Sequence, residues 1–117
     1  MYQTTVAAGS LNVTAYAVKA ASGGWNVVIV NKDQTANLQV TVSLPQKVSS
    51  ATLLTMTQLN AGATAPSLAA TTGVSIQDGT VGPDGSFTPS TAYTLTTSGA
   101  TVSCYVPALT AVLIQAS

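Results

Sequence analysis

The chain has 117 residues, of which 46% are hydrophobic but only 5% aromatic and 5% charged, with three lysines balancing three aspartates and no Arg, His or Glu. One domain of this length buries about two thirds of the surface its unfolded chain exposes, so folding requires neither a metal nor a disulfide. Zero net charge without a basic cluster removes the attraction that dominates nucleic-acid affinity and polybasic membrane binding; no nucleic acid and no membrane partner are expected.

No stretch approaches the roughly 20 consecutive apolar residues of a membrane helix, so the chain reads as soluble. The first ten residues have neither a basic start nor an apolar core, and no uncleaved secretory signal is expected there. Cys104 is the single cysteine, which excludes an internal disulfide and leaves the compartment open.

Short runs rich in Val, Ile, Leu and Thr recur about every ten residues between Gly, Pro, Asn, Asp and Ser. This spacing predicts an all-β fold, an antiparallel two-sheet β-sandwich of seven or eight strands in one domain spanning 1–117. A first strand is predicted over 11–18. Ser22-Gly23-Gly24 then supplies a hairpin turn into a strand over Trp25–Asn31, because glycine reaches positive φ without a steric penalty. Val27, Val28, Ile29 and Val30 put branched aliphatics on both faces of that strand, which predicts a central position covered on two sides.

In 38–44, Leu38, Val40, Val42 and Leu44 alternate with Gln39, Thr41 and Ser43, the pattern of a half-buried strand. A strand over 52–59 follows. Residues 60–73 are Ala-rich but broken by Gly62, Pro66 and Gly73, and are expected to form a crossover loop in which Pro66 opens at most one helical turn. Strands over 74–77, 93–97, 102–106 and 111–115 complete the set, with Ser98-Gly99-Ala100 as a second hairpin turn.

The inventory leaves little catalytic chemistry. Glycoside hydrolysis usually needs two carboxyl groups, and only Asp33, Asp78 and Asp84 are present. Asn31-Lys32-Asp33, Asp78-Gly79 and Pro83-Asp84-Gly85 are turn signatures in which the carboxylate bonds nearby backbone N–H groups. A calcium site on Asp78 and Asp84 lacks a loop motif, a serine nucleophile lacks a histidine base, and a typical zinc site lacks both His and a second Cys; no cofactor and no metal are expected. Cys104 lies between Val102 and Val106 on the apolar side of its strand, where a thiol packs as a small hydrophobe. The side chains able to stack on a sugar ring, if they share an exposed face, are Trp25, Tyr16, Tyr93 and Tyr105; the alternative for large aromatics is the core.

The order of several motifs is familiar: Asn12-Val13-Thr14-Ala15-Tyr16-Ala17, Gly24-Trp25-Asn26-Val27-Val28-Ile29-Val30-Asn31-Lys32-Asp33, Ala65-Pro66-Ser67-Leu68, Gly73-Val74, Asp84-Gly85-Ser86-Phe87, Val106-Pro107-Ala108 and Ala111-Val112-Leu113-Ile114. This series resembles the C-terminal β-sandwich domain of family 79 glycoside hydrolases, the β-glucuronidase and heparanase-like enzymes, over about the last hundred residues. The resemblance implies a catalytic (β/α)8 barrel before this domain that carries the acid and nucleophile glutamates, neither of which this Glu-free chain contains. It implies a secreted or periplasmic parent, a last strand near Ala111 and Leu113 returning into the core, and completion of the sandwich by strands from the parent's extreme N-terminus.

The leading expectation is therefore a noncatalytic accessory domain that packs against and stabilises a (β/α)8 catalytic domain. One alternative is a carbohydrate-binding module using exposed aromatics. Another is a cell-surface adhesin-type module, whose internal Lys-to-Asn crosslink would register as a lost ammonia in the intact mass. An unpaired sheet edge would further favour an edge-strand homodimer or strand swap.

Overall fold

The computed structural model describes residues 1–58 and 72–117, with Gln58 described at its backbone only. The expected loop over 60–73 and the end of the strand expected over 52–59 thus lie largely outside the described residues. Nine strands are found among them: β1 (Val13–Lys19), β2 (Trp25–Asn31), β3 (Leu38–Ser43), β4 (Ala51–Gln58), β5 (Val74–Ile76), β6 (Tyr93–Thr94), β7 (Thr97–Ser98), β8 (Thr101–Val106) and β9 (Thr110–Ala116). The protein is an all-β sandwich of two antiparallel sheets. The larger has six strands in the order β1-β2-β9-β4-β5, with β6 also on β4; the smaller is β3-β8-β7.

Period-two patterning explains which side chains form the core. Trp25, Val27 and Ile29 of β2, Val112, Ile114 and Ala116 of β9, and Ala51 and Leu53 of β4 point inward from the large sheet. They meet Val102, Cys104 and Val106 of β8 and the half-buried Leu38, Val40 and Val42 of β3. Gln39, Thr41 and Ser43 are exposed, as their alternation predicts. Burial pushes the Cys104 thiol up to about 11, because a thiolate loses its hydration there.

Both expected hairpins form. β1 and β2 pair from Val13↔Asn31 to Lys19↔Trp25, joined by a turn in which Gly23 has φ +91°; β7 and β8 close around Gly99 at φ +61°.

Three expectations are corrected. The strand expected over 93–97 is two short strands in different sheets: Tyr93 and Thr94 pair with Leu53 and Thr52 of β4, whereas Thr97 and Ser98 pair with β8. The chain crosses between layers at Leu95, which packs against the core. Secondly, Trp25–Asn31 is interior in its sheet, but among the described residues no layer covers its outer face, where Val28 is exposed and Val30 half-buried. Thirdly, β9 does return to the centre of the large sheet and Ala111 is buried, yet Val112, Ile114 and Ala116 carry its core face while Ala111 and the half-buried Leu113 lie in the outward rows.

Candidate functional site

The two sheets are unequal, and the inequality makes a cleft. β8 is paired along its whole length by β3, but β7 reaches only Thr101 and Val102. The inner face of β4 therefore extends beyond the smaller sheet, where Thr55 and Thr57 remain half-buried next to the buried Leu53. A cavity of about 420 Å³ opens over these three residues; Ser75, Gln77 and Asp78 form one wall, and Tyr93, Leu95, Tyr105 and Pro107 the other.

Gln77 fixes the wall on the β5 side. Along one edge β4 pairs with β6 at Thr52 and Leu53 and with β5 from Met56 onward, leaving Thr55 without a strand partner there. Gln77 fills that gap: its backbone N–H donates to the Thr55 carbonyl at 2.8 Å, and its side-chain Oε1 accepts the Thr55 N–H at 3.0 Å. Its Nε2 donates to the Thr91 carbonyl at 3.1 Å, and its carbonyl accepts the Ser90 N–H at 2.8 Å. A buried amide bonded at both its oxygen and its nitrogen is held in place, because breaking either bond strands a desolvated polar group. Gln77 and Asp78 both have positive φ, +47° and +61°, and Ile76 and Gly79 exchange two backbone hydrogen bonds around them. This is the pattern of a tight I′-type turn; Asp78-Gly79 marks its place in the sequence, but the central pair at positive φ is Gln77-Asp78, one residue earlier than an Asp-Gly signal predicts. The side-chain role of Gln77 had no such signal, since its partners lie on β4 and in the 90–91 segment.

Of the four aromatics proposed for stacking, the structure brings two together. Tyr93 and Tyr105 are 59% and 54% exposed and line the cleft from different sheets. Tyr16, 48% exposed, stands apart on the outer face of the large sheet, in register with Val28. The expectation for Trp25 is corrected: it is 4% exposed, with Tyr2 packed edge-on at 4.8 Å between ring centroids. An indole held between the sheets presents no face to a ligand.

The carboxylates occupy three separate turns. Asp33 accepts the N–H groups of Thr35 at 3.0 Å and Ala36 at 2.9 Å; these bonds, that from Thr35 first, hold its carboxyl below the usual range. Asp84 is lowered chiefly by the Ser86 hydroxyl and then by the Ser86 N–H. Only Asp78 lines the cleft, and no group of three His, Cys, Asp or Glu side chains forms among the described residues. The cleft is thus able to stack and hydrogen-bond a ligand, and holds one carboxylate where glycoside hydrolysis ordinarily uses two.

No protein-family model and no curated protein matches the sequence. Solved structures do match in fold. CelM2, a bifunctional glucanase-xylanase from a metagenome library, superposes with a TM-score of 0.57 at 18% identity, over 90% of this chain and 16% of that one. The GH51 arabinofuranosidase from Xanthomonas axonopodis pv. citri gives 0.57 and 18%, over 90% of this chain and 19% of that one. The catalytic domain of GH30 xylanase C from Talaromyces cellulolyticus gives 0.53 and 17%, over 95% and 19%. This chain spans less than a fifth of each. The protein is thus a β-sandwich of a kind found within glycoside hydrolase chains, a likeness of fold.

Proposed function

We propose that the protein is a noncatalytic accessory domain of a glycoside hydrolase, which packs through the outer face of its six-stranded sheet against a (β/α)8 catalytic domain and stabilises it. The observation that carries this reading is the composition of that face. Its rows run Tyr16, Val28, Leu113, Leu54 and Thr14, Val30, Ala111, Met56, Ile76, with Val18 and Val74 beside them. Tyr16, Val18, Val28, Met56 and Val74 are all exposed, and no outward position of β1, β2, β9, β4 or β5 whose side chain is described carries a charge. The row beside them, Val18, Asn26, Gln115 and Thr52, is polar apart from Val18 and bounds the apolar patch on one side; a patch of this kind marks an interaction surface, and apolar area buried there contributes about 25 cal/mol per Å². The fold likeness to segments of much longer glycoside hydrolase chains supports a catalytic domain as the partner. The motif order supports a family 79-like parent.

The test starts from the coding sequence contiguous with this segment, which is expected to encode a (β/α)8 pattern with two catalytic glutamates. In the joined protein, Val28→Lys with Leu113→Lys is expected to lower the melting temperature of the catalytic domain by at least about 4 °C. The purified chain alone is expected to leave aryl glycosides, glucuronides included, unhydrolysed. A contiguous sequence without a barrel pattern, an unchanged melting temperature, or turnover by the chain alone would each overturn the reading.

A further inference from the structure

We infer that the cleft between β4, the β5 turn and β8 binds a neutral oligosaccharide, with Tyr93 and Tyr105 as its stacking surfaces. Three features of the cleft converge on a sugar as its ligand. Its volume, about 420 Å³, falls in the range of small-molecule sites, roughly 300–1,000 Å³. Two of the chain's four tyrosines stand at it, 59% and 54% exposed, and each joins an apolar ring to a polar hydroxyl. An aromatic face held open in this way suits the C–H face of a pyranose ring. Between the tyrosines and the β5 turn, Thr55, Thr57 and Ser75 offer hydroxyls that both donate and accept, matching sugar hydroxyls, which do the same.

Charge then selects among sugars. Among the described residues, Asp78 is the single charged side chain lining the cleft, and no Lys lines it. A uronate or sulfated sugar would meet a like charge with no cation to offset it, whereas a neutral sugar finds in the carboxylate a strong acceptor for its hydroxyls. The wall is also set in advance: the four hydrogen bonds of Gln77 hold the turn carrying Asp78 and the segment leading to Tyr93, so little ordering cost falls on binding. The inference does not rest on the barrel reading, because the docking face and the cleft lie on opposite faces of the large sheet.

The test is an amide NMR titration of the labelled chain with cellohexaose, xylohexaose and maltohexaose, and with hexagalacturonate as the charged counterpart, each to about 10 mM to reach millimolar affinities. Saturable shifts are expected for at least one neutral hexasaccharide at Tyr93, Tyr105, Leu53 and Thr55. Tyr105→Ala and Tyr93→Ala are each expected to weaken that binding at least about tenfold, while Tyr16→Ala on the opposite face leaves it within about twofold. Hexagalacturonate is expected to bind more weakly, and Asp78→Asn, which tolerates the same positive φ, to narrow the difference. Spectral dispersion in each variant reports that the fold is retained. Absence of saturable shifts with all three neutral sugars, shifts centred away from the tyrosines, or tighter binding of hexagalacturonate would each overturn the inference.

Discussion

Asn31 shows how one side chain ties the two layers together. It ends β2 in the large sheet and is 1% exposed. Its Nδ2 lies within hydrogen-bonding distance of three carbonyl oxygens, those of Ala36 at 2.8 Å, Pro107 at 3.0 Å and Val106 at 3.2 Å, while its Oδ1 accepts the Asp33 N–H at 3.1 Å. Val106 ends β8 in the small sheet, so the amide spans the sandwich. Nearby, the Leu109 N–H donates to the Asp33 carbonyl and the Ala108 N–H to Asn37 Oδ1, which fixes the connection into β9. Truncating Asn31 would deprive the buried Val106 carbonyl and the part-buried carbonyls of Ala36 and Pro107 of this donor, and a buried polar group left unsatisfied costs about 1–3 kcal/mol. We expect Asn31→Ala to lose about 2–4 kcal/mol in urea unfolding, a cost in the range of broken buried networks; a loss below about 0.5 kcal/mol would show that water replaces the amide freely.

Among the elements, the β1–β2 hairpin and the end of β9 are coupled through Gly24. A Cβ built there would sit 2.5 Å from the Ala116 carbonyl oxygen, closer than any real side chain approaches backbone. Ala116 pairs with Trp25 on one side and Ala51 on the other, so it has little room to retreat. Gly24→Ala is expected to cost about 1–3 kcal/mol, as overpacking does, and calorimetric unfolding reads it directly; wild-type stability would mean that β9 yields at its end. β6 contributes Tyr93 beside Leu53, and the change of sheet at Leu95 allows the smaller layer to stop short and the cleft to open.

For the whole molecule, the edges matter as much as the faces. Among the described residues, the outer edge of β1 is bridged only by Tyr2↔Ala17, and β3 has no strand on its outer side. Between them runs a groove of about 650 Å³, lined by the inner face of β1, by β3 and by the segment from Tyr2 to Ala8. β3 carries neither Lys nor Pro within Leu38–Ser43, the usual guards against edge pairing. We propose that a second copy pairs along this edge, as a homodimer or a strand swap. Sedimentation velocity is expected to show a dimer fraction that grows with concentration and disappears in Val40→Pro; a monomer at every concentration would refute this.

The sequence by itself determined the fold class, most strand positions, both Gly hairpins and the burial of Cys104, because alternation and turn chemistry are local properties of the chain. It also supplied Tyr93 and Tyr105 as candidate contacts, through the scarcity of aromatics. Only the tertiary structure decided that these two share a cleft while Trp25 is buried and Tyr16 faces the other way. The strand expected over 93–97 divides because sheet membership depends on which partner lies beside each residue, a contact that no period in the chain encodes. The run of aliphatics in Trp25–Asn31 fixed that both faces of β2 are apolar; whether the second face is covered depends on what packs against it, and among the described residues no layer does.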